Sequence, residues 1–125
     1  MLLQRTLLVN GIATAGTGLL ALIGSPWLAD VIGLSSPALL AIVGAGLVVF
    51  AAVPLALGRR THIDRSAAWA IAVADVAWVV GSVAVVEAGV LTAIGNVLVA
   101  AVAGVVLIFA VLEIRGIRQL GRALA

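Results

Sequence analysis

Four long apolar stretches, with very few charged side chains among them, dominate this sequence of 125 residues. They cover approximately residues 6–28, 37–57, 66–86 and 91–114. A helix needs about 20 mostly apolar residues to cross the hydrocarbon core of a bilayer, and its backbone amides must be paired internally. The pattern therefore predicts an all-α polytopic membrane protein, a single domain built as a bundle of four transmembrane helices.

Composition and residue usage exclude several classes of function. Hydrophobic residues make up 65% of the chain and charged residues 10%, against about 25% charged residues in soluble domains. The chain has no cysteine and one histidine, His62, so thiol chemistry and multi-histidine metal sites are excluded. A net charge of +2 is too small for a nucleic-acid-binding surface. We expect no cofactor and no nucleic-acid partner.

The basic residues indicate how the four spans are oriented. All seven are arginines, placed before the first span, between the second and third, and after the fourth. Because basic residues mark cytoplasmic segments, we expect both termini inside (N-in/C-in). The exclusive use of arginine, with abundant alanine and valine, is typical of GC-rich bacterial genomes, so we expect a multi-pass protein of the bacterial inner membrane. The topology or lipid-headgroup residues are then Arg5, Arg59, Arg60, Arg65, Arg115, Arg118 and Arg122.

Two segments at the borders of the spans carry further expectations. Gly24-Ser25-Pro26 interrupts the first stretch, because proline has no amide hydrogen to donate within a helix, and residues 27–34 are expected along the outer surface. Residues 115–125 form a basic amphipathic tail, with Ile117, Leu120 and Leu124 on one face. Its arginines either contact anionic headgroups or only fix the topology.

Asp75 is the one ionisable residue expected deep inside a span. An aspartate at the bilayer centre costs about 2.5–3.5 kcal/mol on insertion scales, so it should face the bundle interior. Asn10 and Thr14 lie at a similar depth in the first span, and Trp78, one turn from Asp75, needs a partner for its N–H. Asp75 is either a neutral acid bonded to Asn10 or Thr14, a proton- or cation-coupling site, or an anchor for a ligand.

Three other polar residues have plainer expected roles. Asn96 lies in the outer third of the fourth span near the level of Ser82, and an interhelical hydrogen bond is favoured over pore lining. Glu113 is expected at a membrane border, paired with a nearby arginine. Small residues four apart, such as Ala77 with Gly81, allow close helix approach. We therefore expect membrane lipids, and either a second copy of the chain or another membrane protein, as partners.

Several short pieces of the chain carry a resemblance. They are the Arg5-Thr6-Leu7 opening with Asn10, the boundary at Gly58-Arg59-Arg60, the run from Asp75 to Val79 with Gly81-Ser82, and the arginine-containing tail. The pattern resembles small uncharacterised bacterial four-span membrane proteins. The resemblance implies the four-span fold and no particular activity.

Three functions are compatible with these features, and none is enzymatic, since no nucleophile–base pair is evident. The favoured expectation is an accessory, assembly or self-associating membrane protein, because small-residue faces are frequent and the loops are too short for a soluble domain. A small proton- or cation-coupled transporter or channel would use Asp75. A binder of a lipid or quinone-like apolar ligand would hold its polar end with Asp75, Asn10 and Trp78.

Overall fold

The computed structural model describes residues 2–124, and these residues form helices and short connections without a strand. The helices are α1 (Leu2–Ile23), α2 (Ser25–Ile32), α3 (Pro37–Gly58), α4 (Arg65–Ala88) and α5 (Ala93–Leu124). Of these, α1, α3, α4 and α5 are long and apolar enough to cross a membrane. The prediction of an all-α chain with four apolar helices is therefore confirmed. Ala125, the last residue of the predicted tail, and the side chain of Leu124 lie outside the described residues.

Side-chain caps begin three of the long helices. The Ser36 Oγ accepts from the backbone N–H of Leu39 at 3.4 Å, with Pro37 in the first turn of α3. The Asp64 Oδ1 accepts from the N–H of Ser66 at 3.0 Å at the start of α4. Thr92 caps α5 in the same way, through the N–H of Gly95 at 3.0 Å. Each cap satisfies an amide that has no partner within its own helix.

The first span ends where the sequence interrupts it. The prediction takes it to Ile23, and as far as residue 28 at most, with a break at Gly24-Ser25-Pro26; α1 ends at Ile23 and α2 is a separate helix. Pro26 in the first turn of α2 has no N–H to continue the α1 ladder. At its other end α2 stops at Gly33, whose φ of 90° favours glycine and whose Cβ, if present, would lie 2.9 Å from the Thr92 nitrogen. The short helix packs against α3 and α5, with Ala29 fully buried.

The long helices pair into two hairpins, α1 with α3 and α4 with α5, and the hairpins meet mainly through α1 and α5. The α1 and α3 backbones touch where a Cβ on Gly18 would lie 2.7 Å from the Gly44 carbonyl oxygen. By contrast, α3 and α4 barely contact each other, and α1 and α4 face each other diagonally without backbone contact. The helices therefore pack closely within each hairpin, whereas α3 and α4 pack loosely against each other.

The buried hydrophobic core lies at one end, which we call the arginine end. It comprises the start of α1, the end of α3, the loop 59–64, the start of α4 and the end of α5, and every arginine there is exposed. Seven buried side chains form its core. Both ends of the described chain meet at this end. The core residues are Leu3, Leu7, Leu57, Ile63, Ala68, Ile71 and Ile117.

The predicted tail is not a separate segment, because α5 continues through it to Leu124. Ile117 is fully buried in the core, and a Cβ on Gly116 would lie 2.8 Å from the Cβ of Leu3. Arg115, Arg118 and Arg122 remain exposed. Ile117 and Leu120 on the apolar face of the tail thus pack against the buried core, where apolar side chains are removed from water.

Candidate functional site

Asn10 joins three of the long helices at the centre of the bundle. Its side chain is 1% exposed. The Nδ2 donates to Asp75 Oδ2 at 2.9 Å and to Glu113 Oε2 at 2.7 Å. The Oδ1 accepts from the Thr14 hydroxyl, one turn along α1, at 2.9 Å. These four residues, Asn10, Thr14, Asp75 and Glu113, are the polar cluster.

The two carboxyl groups of the polar cluster lie next to each other. Asp75 and Glu113 both accept from the same Asn10 Nδ2, at 2.9 and 2.7 Å, and both are buried. Within the described residues, no arginine bonds to either group, and the arginines are exposed. Two adjacent carboxylates without a cation repel each other strongly. The pair must therefore hold a proton or attract a cation.

The expectation for Glu113 is wrong. Its side chain is completely buried and bonded to Asn10 instead of pairing with an arginine at a border. The cause is the continuation of α5 beyond Ile114, which places Glu113 inside the bundle. Helical spacing does carry the signal, because Glu113 shares its face with the buried residues Ala110 and Ile117. Its Oε1 is buried and has no hydrogen-bond partner.

A cavity of about 470 Å³ lies beside the polar cluster, on the side away from the arginine end. All four long helices line it, and within the described residues Asp75 is its one ionisable lining residue. Glu113 is completely buried and does not belong to the lining of this cavity. The lining residues are Ala13, Thr14, Thr17, Val43, Gly46, Leu47, Phe50, Ala74, Asp75, Trp78, Val102, Val105, Val106 and Phe109.

The structure places the remaining predicted residues in different settings. Trp78 lines the cavity, and its indole Nε1 is buried without a hydrogen-bond partner. Ser82 donates to the Trp78 carbonyl at 2.8 Å in its own helix, the local bond that serine commonly forms within helices. Asn96 has a buried Oδ1 without a partner. The expected interhelical hydrogen bond of Asn96 is therefore not formed.

The chemistry of the site follows from these contacts alone. Among residues 2–124, no group of three or more His, Cys, Asp or Glu side chains could hold a metal ion. No model of a known protein family matches the chain, nor does any curated protein or solved structure. The arrangement combines an apolar cavity, the carboxyl group of Asp75 in its lining, and the fully buried carboxyl group of Glu113, which shares the Asn10 amide with Asp75.

Proposed function

We propose that the protein binds a small amphiphilic molecule within the membrane. The apolar part of the ligand occupies the cavity, and its cationic or hydrogen-bonding end pairs with Asp75. The observation that carries this proposal is the cavity of about 470 Å³ with Asp75 on its wall. Sites for small molecules typically enclose about 300–1,000 Å³, with apolar walls and a few placed polar groups.

The cavity walls support a ligand-binding role for Asp75 over a purely structural one. An acid that serves only to join helices needs no chamber beside it, whereas Asp75 borders one. Phe50, Trp78 and Phe109 supply aromatic surfaces, which suit an aromatic or cationic ligand. The unpartnered N–H of Trp78 is available to a ligand acceptor. Asn10 holds Asp75 in position.

The membrane and the orientation belong to the same proposal. We infer the inner membrane of a bacterium, with the arginine end in the cytoplasm, because positively charged ends stay on that side. The cavity then lies near the middle of the bundle, at the depth of Thr14, Phe50 and Asp75. The opposite end carries Asp30 and Glu87 and no basic residue.

Self-association, the favoured expectation from the sequence, stays a prediction. Gly81 and Gly104 are exposed, and a Cβ on either would meet nothing within 4 Å. Such sites are where another helix could approach closely. A bundle that pairs through these faces would still contain the cavity, so an accessory role and ligand binding are compatible.

Filling the cavity tests the proposal. Gly46 lines it, and a Cβ there meets nothing within 4 Å, so Gly46→Leu should occupy ligand space without a backbone clash. In a Trp27→Phe, Trp69→Phe background, Trp78 fluorescence in lipid nanodiscs would be titrated with tetraphenylphosphonium and with neutral triphenylphosphine oxide. We expect saturable binding of at least one probe, weakened about tenfold or more by Gly46→Leu.

Gly104→Leu is the matched control, since it adds the same side chain at an exposed glycine on the face of α5 opposite the cavity-lining residues. It should bind like the parent. Empty nanodiscs correct for partition into lipid. If neither probe gives a saturable Trp78 response, or if both leucine variants bind as the parent does, the proposed function is wrong.

A further inference from the structure

We propose that the cavity exchanges one proton for one monovalent organic cation, an inference that rests on the proposed binding function. In the empty site both Asp75 and Glu113 are protonated. When the cation enters, the O–H bond of Asp75 breaks, its proton passes to water, and the cation pairs with the carboxylate that remains. No electron changes hands, and the net charge of the buried site stays zero before and after.

Charge neutrality is the physical reason for this stoichiometry. An ion without a counter-ion is costly inside the hydrocarbon region. No charged side chain of α3 exists to compensate Asp75, and apart from Glu113 those of the other helices are exposed. A proton or a bound cation must therefore neutralise Asp75. The exposed charges are Arg5 on α1, Asp30 on α2, Arg65 and Glu87 on α4, and Arg115, Arg118 and Arg122 on α5.

Asp75 and Glu113 have different positions and therefore different roles. Asp75 borders the cavity and can meet a ligand, whereas Glu113 is completely buried. Glu113 keeps its proton during the exchange and uses it in a hydrogen bond to the newly formed Asp75 carboxylate, next to which the shared Asn10 amide holds it. A hydrogen bond to an ionised acceptor is about twice as strong as a neutral one. Glu113 is thus a positioning residue that stabilises the Asp75 anion.

Because of the packing, a proton and a cation compete for the Asp75 carboxylate. The arginine end below the polar cluster is closed by fully buried side chains, among them Leu3, Leu7 and Ile117. Asp75 is reached instead from the cavity. Both species must therefore use the same side of Asp75. Competition makes the apparent affinity for the cation fall as the pH falls.

Proton release on binding tests the exchange. Protein in nanodiscs, in weakly buffered solution with a pH indicator, would be titrated with tetraphenylphosphonium and with triphenylphosphine oxide. We expect one proton released per tetraphenylphosphonium bound and none with the neutral probe. The affinity for tetraphenylphosphonium should fall about tenfold per pH unit where both carboxyl groups are protonated. Binding without proton release, or with an affinity independent of pH, would overturn the exchange and leave the binding function standing.

Variants separate the roles of the two acids. Asp75→Asn should abolish proton release and tetraphenylphosphonium binding while triphenylphosphine oxide still binds. Glu113→Leu should weaken tetraphenylphosphonium binding about 10–100-fold, the scale of a hydrogen bond to a charged group, and Glu113→Gln should restore most of that loss because its amide can donate. Glu87→Gln, at an exposed acid, is the control. Equal losses for Gln and Leu at residue 113, or unchanged proton release in Asp75→Asn, would refute the assignment.

Discussion

Asparagine suits the centre of this bundle because of its two donors and one acceptor. Asn10 uses both N–H groups on separate carboxyl groups and its oxygen on Thr14. Aspartate would place a third acid in the polar cluster, and leucine would supply no donor at all. A side chain of this length also reaches across the diagonal between α1 and α4, whose backbones do not touch.

Removing the Asn10 amide should loosen the bundle. Asn10→Leu leaves two buried carboxyl groups without their shared donor, and we expect a loss of about 1–3 kcal/mol in the free energy of unfolding. Unfolding in mixed micelles, followed by tryptophan fluorescence, measures it. Thr17→Val is the control, because Thr17 bonds only to the Ala13 carbonyl of its own helix. Equal stability of Asn10→Leu and Thr17→Val would contradict the central role of Asn10.

At this scale the sequence was informative about neighbours and uninformative about Glu113. Helical spacing and a common chain direction place Asn10 and Thr14 near the depth of Asp75, and hydrogen bonds join the three in the structure. Their function stays a prediction. Glu113 stands two residues before Arg115, so charge patterning favours a border. Tertiary packing buries the helical face of Glu113, and this packing is what shows that the residue lies inside the bundle.

Among the elements, the joint between α2 and α5 depends on a single threonine. The Thr92 hydroxyl donates to the Val31 carbonyl at 2.7 Å and accepts from the Gly95 N–H at 3.0 Å. The Thr92 backbone N–H also donates to the Ile32 carbonyl at 3.1 Å. One side chain thus caps α5 and holds the end of α2 against it.

Thr92→Val should release this joint. Valine keeps the shape and loses both hydroxyl bonds, so we expect about 1–2 kcal/mol less protection of the first turn of α5, the typical value of an N-cap. Hydrogen–deuterium exchange at the amides of residues 94–96 and 31–33 measures it. Thr92→Ser retains the hydroxyl and should exchange like the parent protein. Unchanged exchange in Thr92→Val would show that packing alone holds α2.

The helices were predictable in number and the breaks between them less so. Apolar length alone reveals the four long helices. Gly24-Ser25-Pro26 indicates the break after the first span, but apolar length does not show that residues 25–32 form a helix of their own, since Trp27, Leu28 and Val31 continue the apolar run. The end of α5 at Leu124 was not predicted, because charged residues follow the apolar run. The arginines suggested a basic amphipathic tail beyond the fourth span, although the face with Ile117 is buried in the bundle.

For the whole molecule, orientation is the property that experiment can decide most directly. Reporters in the loop 61–64 and fused to the C-terminal end should both read as cytoplasmic, because the arginines cluster there. A reporter near Ser35 should read as external. Alkaline phosphatase and green fluorescent protein fusions give complementary signals for the two sides. An external signal from the C-terminal fusion would contradict the inferred orientation.

Which helices neighbour each other could not be predicted from the sequence. The long helices are apolar on nearly every face, with Leu20, Ile42 and Val80 among many exposed hydrophobic side chains. An apolar side chain gains little free energy by contacting another helix instead of lipid. Close glycine contacts such as Gly18 with Gly44 and the bonds of Asn10 distinguish the arrangement. Such contacts depend on three-dimensional register, so the cavity could not be foreseen.

Because the two hairpins contact each other less than the helices within each hairpin do, the loop 59–64 also helps to keep the hairpins together. A short connection holds two partners at a high effective concentration, on the order of millimolar for flexible linkers. An attachment whose own Kd lies well below that concentration then stays formed nearly all the time. The Gln4 amide, which donates to the Arg60 carbonyl at 2.7 Å, shortens that connection further. The polar cluster therefore need not be strong to be permanent, and its bonds can be remade without the two halves separating.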